Sequence, residues 1–555
     1  MNLFNLGLSG LNASQARLNT VGHNIANADT DGYNRQSVVV SSAGGVSVGA
    51  GFVGRGVQVD TVKRSYDSFL YKQLTNAQSS GAAMVAYGGQ ISQVSNLLAD
   101  NTVGVAPALR KFFESNNAVA SAPADPAARQ DLIGQANSLV TQINEANRFL
   151  QNQRENINAQ ISTSVSQINS YVERINDMNQ QIARAQAASP GHVPNDMYDQ
   201  RDQLVTELNT LVKVNVIEQN GSYNITVGNG QTMLSGTSVY PLQAVASKAD
   251  GSRLVVAYTV PTGQPGQTAT VELQDGQISG GQLGGLLDYR ANSLDVLQND
   301  LGRMAVGLAV SYNAIHEQGL DANGRPGQAF FGLGAVNAQA NANNSGAQSI
   351  GARYADIDAI TGNDYQIKFD GAEYQITRMP GGAELYRGDG SELSATPPQL
   401  IEGLQIDLSN GTPRAGDSWV LQPTRNAARD LSVAIGDPSQ IAAAGPGGGS
   451  ANGENALALA QLQTKKVLGN GTMSLNESFS QLVNKVGVMA GQNATASKAQ
   501  ANLIEQNYAA QQAVSGVNVD EEYVNLDRYM QQYRASSRLI DVGSQIFDTL
   551  LGLRG

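Results

Sequence analysis

Few residues in this chain have the type and spacing for chemistry. Asp196, Asp199 and Asp202 recur every third position around Arg201, a spacing that stacks carboxylates along one side of a helix. Paired carboxylates do acid–base work only where burial or repulsion drives their pKa values apart. At a helix start they serve more simply as cap and dipole partners. Gly49-Ala50-Gly51-Phe52-Val53-Gly54 spells a dinucleotide fingerprint, but Gly56-Val57-Gln58-Val59-Asp60 then alternates like a strand where a helix is required. A glycine-rich loop is expected there. Asp321-Ala322-Asn323-Gly324 opens like a calcium loop, yet its twelfth position is Gly332 in place of glutamate, so a tight turn is expected. Arg387-Gly388-Asp389 matches an adhesion tripeptide in a glycine-rich setting. The three imidazoles, His23, His192 and His316, are scattered, so no Ser/His/Asp triad assembles. His23 reads as a polar contact at a helix–helix seam. Cysteine is absent, which removes disulfides, thiolate zinc sites and thiol catalysis together. The sequence points to no enzyme, no cofactor and no metal.

What these residues would have to be mounted on is large. The chain's 555 residues give a prior of three to four domains and ample length for real cores. Its 35 Lys+Arg against 47 Asp+Glu give a formal charge of −12, so neither nucleic acid nor anionic lipid is an electrostatically favoured partner. No apolar run approaches the roughly 18 residues of a membrane span, so no membrane insertion is expected. Met1-Asn2-Leu3-Phe4-Asn5-Leu6 has no basic lead and no sustained apolar stretch, which argues against a cleaved signal.

The two ends carry the most regular patterns. Phe4, Leu11, Leu18 and Ile25 fall seven apart, each followed three residues later by Gly7, Ser14, Val21 or Ala28. Val519, Leu526, Tyr533, Ile540 and Phe547 repeat the spacing, with Tyr529, Ser536, Gly543 and Leu550 behind them. Such repeats keep one seam on a partner helix. Burying one seam on each of two helices, one interrupted by glycine, falls short of the backbone entropy of ordering them, so neighbouring copies are expected to supply the missing contacts. The assembly residues read from the pattern are Phe4, Leu11, Leu18, Ile25, Val519, Leu526, Tyr529, Tyr533, Ile540, Phe547 and Leu550.

Between the ends the period changes repeatedly. Strands through Gly-rich turns are expected over 38–62, and helices over 66–98, about 131–188 and 196–213, with Ile161, Ile168, Ile175 and Ile182 as one ridge. Alternating segments follow over 214–277, helix over 283–317, β segments over 320–423, and helix again over 456–515. Gly445-Pro446-Gly447-Gly448-Gly449 marks a linker by composition. The expected fold is α+β and multidomain, nested. A coiled-coil core pairs 1–40 with 515–555, and a helical-bundle inner domain comprises 41–213, 281–319 and 453–514. A β insertion spans 214–280, a β-rich outer domain 320–425 and a linker 426–452.

Taken together, the ends resemble the axial proteins of the bacterial flagellum. Asn24-Ile25-Ala26-Asn27-Ala28-Asp29-Thr30-Asp31-Gly32-Tyr33-Asn34-Arg35-Gln36 is similar to a segment shared by rod, hook and hook-associated proteins, although Asp31 replaces the Pro or Thr frequent there. The Tyr33-Asn34-Arg35-Gln36 ending favours the hook-associated protein 1 family. Ser515-Gly516-Val517-Asn518-Val519-Asp520-Glu521-Glu522 and Phe547-Asp548-Thr549-Leu550-Leu551 are similar to that family's closing helix. Asp199-Gln200-Arg201-Asp202 and Asn455-Ala456-Leu457-Ala458-Leu459 look like its interior landmarks.

The resemblance implies a structural adaptor of the hook–filament junction, secreted unfolded through the flagellar type III channel. Its implied partners are copies of itself, hook protein, the next hook-associated junction protein, and an export chaperone on the C-terminal helix. It also implies ends that order on joining the tube. A hook or filament subunit, a secreted cell-wall hydrolase and an adhesin stand as alternatives.

Overall fold

The computed structural model describes residues 3–49, 51–98, 104–262 and 267–553. The first helix, α1 (Leu3–Ala26), is followed by an antiparallel ribbon of β1 (Gln36–Ser42) and β4 (Val57–Arg64), which carries the hairpin β2 (Gly45–Val48) and β3 (Gly51–Gly54) at its far end. Ala50, in the fingerprint-like run, lies outside the described residues. Gly49 lies in the turn and Gly51–Gly54 is a strand of the hairpin, with Gly51 at φ 132°, so the run opens no helix.

The helical body comes next: α2 (Ser68–Leu98), α3 (Val105–Ser121), α4 (Pro126–Ala188) and α5 (Asn195–Leu211). α4 starts where Asp125 accepts from the Ala127 N–H at 2.9 Å and Pro126 occupies the first turn. It stops at Ser189-Pro190-Gly191, where proline cannot continue the ladder. The ridge of Ile161, Ile168, Ile175 and Ile182 is fully buried, as are Val165 and Val172. Each such aliphatic contributes about 1.5–3 kcal/mol of burial.

Two small sheets then lie on α4: β5 (Val214–Gln219), β6 (Ser222–Val227), β7 (Gln231–Ser235) and β8 (Ser238–Val239), followed by β9 (Leu242–Ala246), β10 (Leu254–Pro261) and β11 (Thr268–Glu272). Their inward side chains, Ile225, Met233, Leu242 and Val256 among them, share one core with the helices. The insertion therefore has no core of its own. α6 (Gly281–Tyr289) passes through a π turn at Arg290–Leu294 into α7 (Asp295–His316).

The outer β module contains β13 (Val336–Asn337) to β20 (Ser418–Leu421), after the short β12 (Phe331–Gly332). One sheet joins β14 (Gln339–Ala340), β20, β16 (Asp364–Phe369), β17 (Tyr374–Met379) and β18 (Glu384–Gly388). The other joins β13, β15 (Ser349–Tyr354) and β19 (Leu404–Asn410). Trp419, Ile367, Ile376 and Leu404 form its separate core. β12 stays behind: it pairs with β21 (Ser432–Val433), which follows α8 (Ala427–Asp430), and Phe330 and Phe331 belong to the helical core.

The segment 426–452 is not the linker its composition suggests. Ile441, Ala442 and Ala443 are fully buried, and Ala444 bridges to Leu320. The Ala442 N–H donates to His316 Nε2 at 2.9 Å, and its carbonyl accepts from Asn455 Nδ2 at 2.7 Å. Small residues are present because the backbone approaches its neighbours closely, a demand that looks the same in composition as flexibility. α9 (Glu454–Gln461) precedes α10 (Leu475–Ser515), which starts on a capping box: Glu477 N–H to Ser474 Oγ at 3.3 Å, and Ser474 N–H to Glu477 Oε2 at 2.8 Å. α10 runs back along α2, and α11 (Val519–Gly552) closes on α1, so the termini pair as the repeats require.

Candidate functional site

Two features stand out where the ends meet the body: the α1–α11 seam and a polar knot at its inner end. The seam is set by backbone. A methyl group at Gly7 would stand 2.8 Å from Ile540 Cγ1 and 3.0 Å from the Ser536 carbonyl. At Gly543 it would stand 3.0 Å from the Phe4 nitrogen. The buried residues of α1 are Gly7, Ala13, Ser14, Val21 and Asn24. The larger members of the repeat sit to one side. Leu11, Leu18 and Ile25 are half-buried, as are Val519, Leu526, Tyr529, Tyr533 and Ile540 across the seam, whereas Phe4, Phe547 and Leu550 are exposed. The structure thus brings the sequence-read residues onto one helix pair, but small residues fill the tightest layer. Beyond Gly543 the uncovered strip continues through Ile546, Phe547, Leu550 and Leu551 to Leu553, which is 79% exposed.

The knot is built on Asn24, whose amide is fully used. Nδ2 donates to the Gln36 carbonyl at 2.9 Å and to Glu522 Oε2 at 3.1 Å; Oδ1 accepts from Tyr33 OH at 2.7 Å and from the Gln36 N–H at 2.9 Å. Arg35 meets Glu522 at 2.6 Å, reaches Glu521 at 3.5 Å, and donates its backbone N–H to the Ser515 carbonyl at 2.8 Å. The turn from Asn24 to Gln36 therefore ties α1 to the start of α11. Glu522, in the first turn of α11, is a buried anion with its partners in place.

Asp196 and Asp199 fasten the same turn to α5, and Asp202 ties in Arg64 and Tyr223. Asp199 accepts from the Asn34 N–H at 3.0 Å, Asn34 Nδ2 at 2.6 Å and Arg64 Nη1 at 2.7 Å. Asp202 accepts from Arg64 Nη1 at 2.8 Å and Tyr223 OH at 2.6 Å. Register brings Arg64 there, since β1 and β4 pair Gln36 with Arg64. Burial raises the Asp199 pKa against the opposing hydrogen bonds from Asn34 and Arg64. Asp196 lies in the first turn of α5, not at its cap, and takes Gln36 Nε2 at 2.7 Å and His23 Nε2 at 3.2 Å. His23 thus faces α5 and not the α11 seam. These carboxylates are structural fasteners with every partner supplied from within the chain.

The remaining sequence candidates are also absorbed locally. Asp321 Oδ1 accepts from the Asn323 and Arg325 N–H groups at 2.8 Å each, a tight turn. Arg387 pairs with Glu384 within β18 at 2.9 Å, and Asp389 Oδ1 accepts from the Ser391 N–H. Among the described residues no group of three or more His, Asp or Glu is placed to hold a metal, and no helix is long and apolar enough to cross a membrane.

Sequence reasoning missed a second fastening, between the body and the outer β module. Arg425 donates to Asp295 at 2.9 Å, Asn299 at 2.6 Å and Asp364 at 2.5 Å. Asp295 also holds Arg154 at 2.5 Å and Arg253 at 3.3 Å. Burial works against the Asp295 charge, but Arg425, Arg154 and Arg253 outweigh it and hold the carboxyl well below its ordinary range. The π turn aims Arg290 at Asp275, 2.8 Å away. Its partners lie far apart in sequence, so no local window could reveal it.

The chain is 38% identical, over an alignment of length 565, to Flagellar hook-associated protein 1 of Salmonella typhimurium, with all of both chains covered. It belongs to the flagellar hook-associated protein 1 family. Flagellar hook-associated protein 1 of Escherichia coli is 37% identical, again over all of both chains. The solved structure of the flagellar hook junction protein FlgK from Burkholderia pseudomallei is 30% identical, covers 80% of this chain and 100% of its own, and superposes with a TM-score of 0.73.

Family models place the pieces. The "Flagellar hook-associated protein FlgK helical domain" matches residues 91–331, and the "Flagellar hook-associated protein 1, D2-like domain" matches 339–423. A "Flagella basal body rod protein" model matches 4–34 and a "Flagellar basal body rod FlgEFG protein C-terminal" model 510–553. The two end matches coincide with the helix pair and most of the knot. This member of the hook-associated protein 1 family is a structural, non-enzymatic component of the extracellular hook–filament junction.

Proposed function

We propose that the α1–α11 pair, within 1–40 and 515–555, is the assembly element. Through it the chain packs against copies of itself, hook protein and the next hook-associated junction protein. The helical body and β-rich module then stand outward as a rigid adaptor. The uncovered strip of α11 carries this reading: Ile546, Phe547, Leu550, Leu551 and Leu553 are each at least 47% exposed on one helix end. Contiguous apolar surface of this kind marks a site of association. Before assembly the same strip suits an export chaperone that masks it. The wider reading treats Phe4, Leu11, Leu18, Ile25, Val519, Leu526, Tyr529, Tyr533 and Ile540 as the layer that shapes this element.

Deleting residues 519–555 is expected to leave a soluble chain that unfolds cooperatively but attaches no filaments in cells lacking their own copy. Filament attachment by the truncated chain, seen by electron microscopy, refutes the reading. The milder pair Phe547→Ser with Leu550→Ser tests the strip itself, since neither side chain supports the monomer's core.

A further inference from the structure

A cavity of about 880 Å³ opens between the β1–β4 ribbon, α2, α5 and the start of β5, with Tyr66, Tyr71, Tyr198 and Tyr223 in its walls. Arg201 lines it and is fully buried. Its guanidinium lies 3.5 Å over the Tyr223 ring, and Nη1 donates to Asn179 Oδ1 at 3.0 Å and the Gly221 carbonyl at 2.7 Å. Nε and Nη2 have no hydrogen-bond partner, and Glu218 stays 3.9 Å from Nη2. A buried cation with two nitrogens short of acceptors favours additional negative charge nearby.

The lining adds charge and apolar surface. Lys63 and Lys72 are exposed lining residues, and among the described residues neither makes an ion pair. Val193 lines the cavity at 48% exposure. Such a surface fits a partner face that sets carboxylates beside large apolar groups.

The start of α11 carries a face of that composition. Asp520, Tyr523, Val524 and Asp527 stand at i, i+3, i+4 and i+7, on one side of the helix, and all four are exposed. Among the described residues, neither Asp520 nor Asp527 has a basic partner; Asp527 accepts only from Gln531 at 2.8 Å. Glu521 and Glu522 are turned toward Arg35.

We propose that the acidic–apolar stripe Asp520–Asp527 of one copy docks against the lysine-lined tyrosine cavity of a second copy. The inference rests on the self-assembly reading above and names the acceptor surface for it. Because plug and socket are different patches of the same chain, the contact is heterologous and repeats around a ring or helix. Charge complementarity sets the register of approach, and the docked stripe brings carboxylates to Lys63 and Lys72 at the cavity that Arg201 lines.

The test uses the full-length chain in cells lacking their own copy, counting hooks with attached filaments. Lys63→Glu with Lys72→Glu, and separately Asp520→Lys with Asp527→Lys, are each expected to lower the count roughly tenfold or more. The four-site charge swap should restore it to within about threefold. All these positions are exposed, so circular dichroism and melting should match the parent chain and exclude misfolding. Because the chain has no cysteine, Lys72→Cys with Asp527→Cys should give disulfide-linked ladders from assembled flagella. Parental counts in Lys63→Glu/Lys72→Glu, or no recovery on swapping, overturn the docking. If Phe547→Ser/Leu550→Ser also attaches filaments normally, the assembly reading falls with it; if that variant fails while the lysine variant succeeds, only this docking falls.

Discussion

The fastening between helical body and β-rich module and the pairing of the two chain ends solve opposite problems. Around Arg425, three aspartates and three further arginines, joined by Asn299, are held by groups of the same chain, and little of them is exposed. Along α11 the seam toward α1 is tight, while the other sides of the helix carry uncovered apolar residues to Leu553. A region that must keep one shape in every setting closes its own accounts of charge and hydrogen bonding. The region proposed to accept neighbours leaves apolar surface open. The polar knot at Asn24 and Glu522 sits between them, complete in itself and joined to the open pair.

That contrast can be broken in several places. The largest effect is expected at the closed fastening. Arg425→Ala leaves Asp295 and Asp364 without their shared cation and should cost about 3–5 kcal/mol in urea unfolding of the monomer. A loss below about 1 kcal/mol would mean the cluster is surplus to stability. Next comes acid. His316 is neutral, with Nδ1 2.6 Å from the Gln328 carbonyl and Nε2 accepting from the Ala442 N–H. Burial pulls its pKa down from 6.5 to about 4, with Arg129 adding to the effect and the Gln328 contact opposing it. The unfolded chain therefore binds the extra proton first. Stability from this site is full above pH 6.5 and falls by roughly 3 kcal/mol toward pH 4. Replacing His316 with Gln should flatten that part of the stability–pH curve.

Glu522→Ala should act at the knot, stranding Arg35 and one Asn24 donor for about 1–3 kcal/mol. Faster amide exchange in both α1 and α11, with α4 unchanged, is the expected pattern. The smallest effect on the monomer belongs to Phe547→Ser, within about 0.5 kcal/mol, although filament attachment should be lost. Equal effects on folding and attachment would erase the distinction between the two regions.

Much of the helical layout was legible because its signals are local. The isoleucine ridge of α4 and the sevenfold repeats at both ends each fit inside a short window, whereas 456–515, expected as one helix, is broken between α9 and α10, where the Ser474–Glu477 box restarts the ladder. The turn from Asn24 to Arg35 stood out for its resemblance, but its physical purpose did not, because its partners are Asp199 and Glu522. Likewise nothing near Arg425 announces Asp295. Residues 426–452 misled for a different reason: alanine, glycine and proline serve a crowded backbone as readily as a loose one. Phe330 and Phe331 read as outer-module β residues, yet packing with Phe112 and Tyr312 keeps them in the body.

The glycines of the terminal seam carry one more consequence. Where main chain rests on main chain, at Gly7 against Ser536 and Gly543 against Phe4, spacing is decided by atoms that every amino acid shares. Helices in such contact lie near the lower end of the usual 8–10 Å separation. A wall raised from planks of that gauge would keep its thickness while the outward side chains drift, so its bore would answer to these two glycines more than to any large hydrophobe.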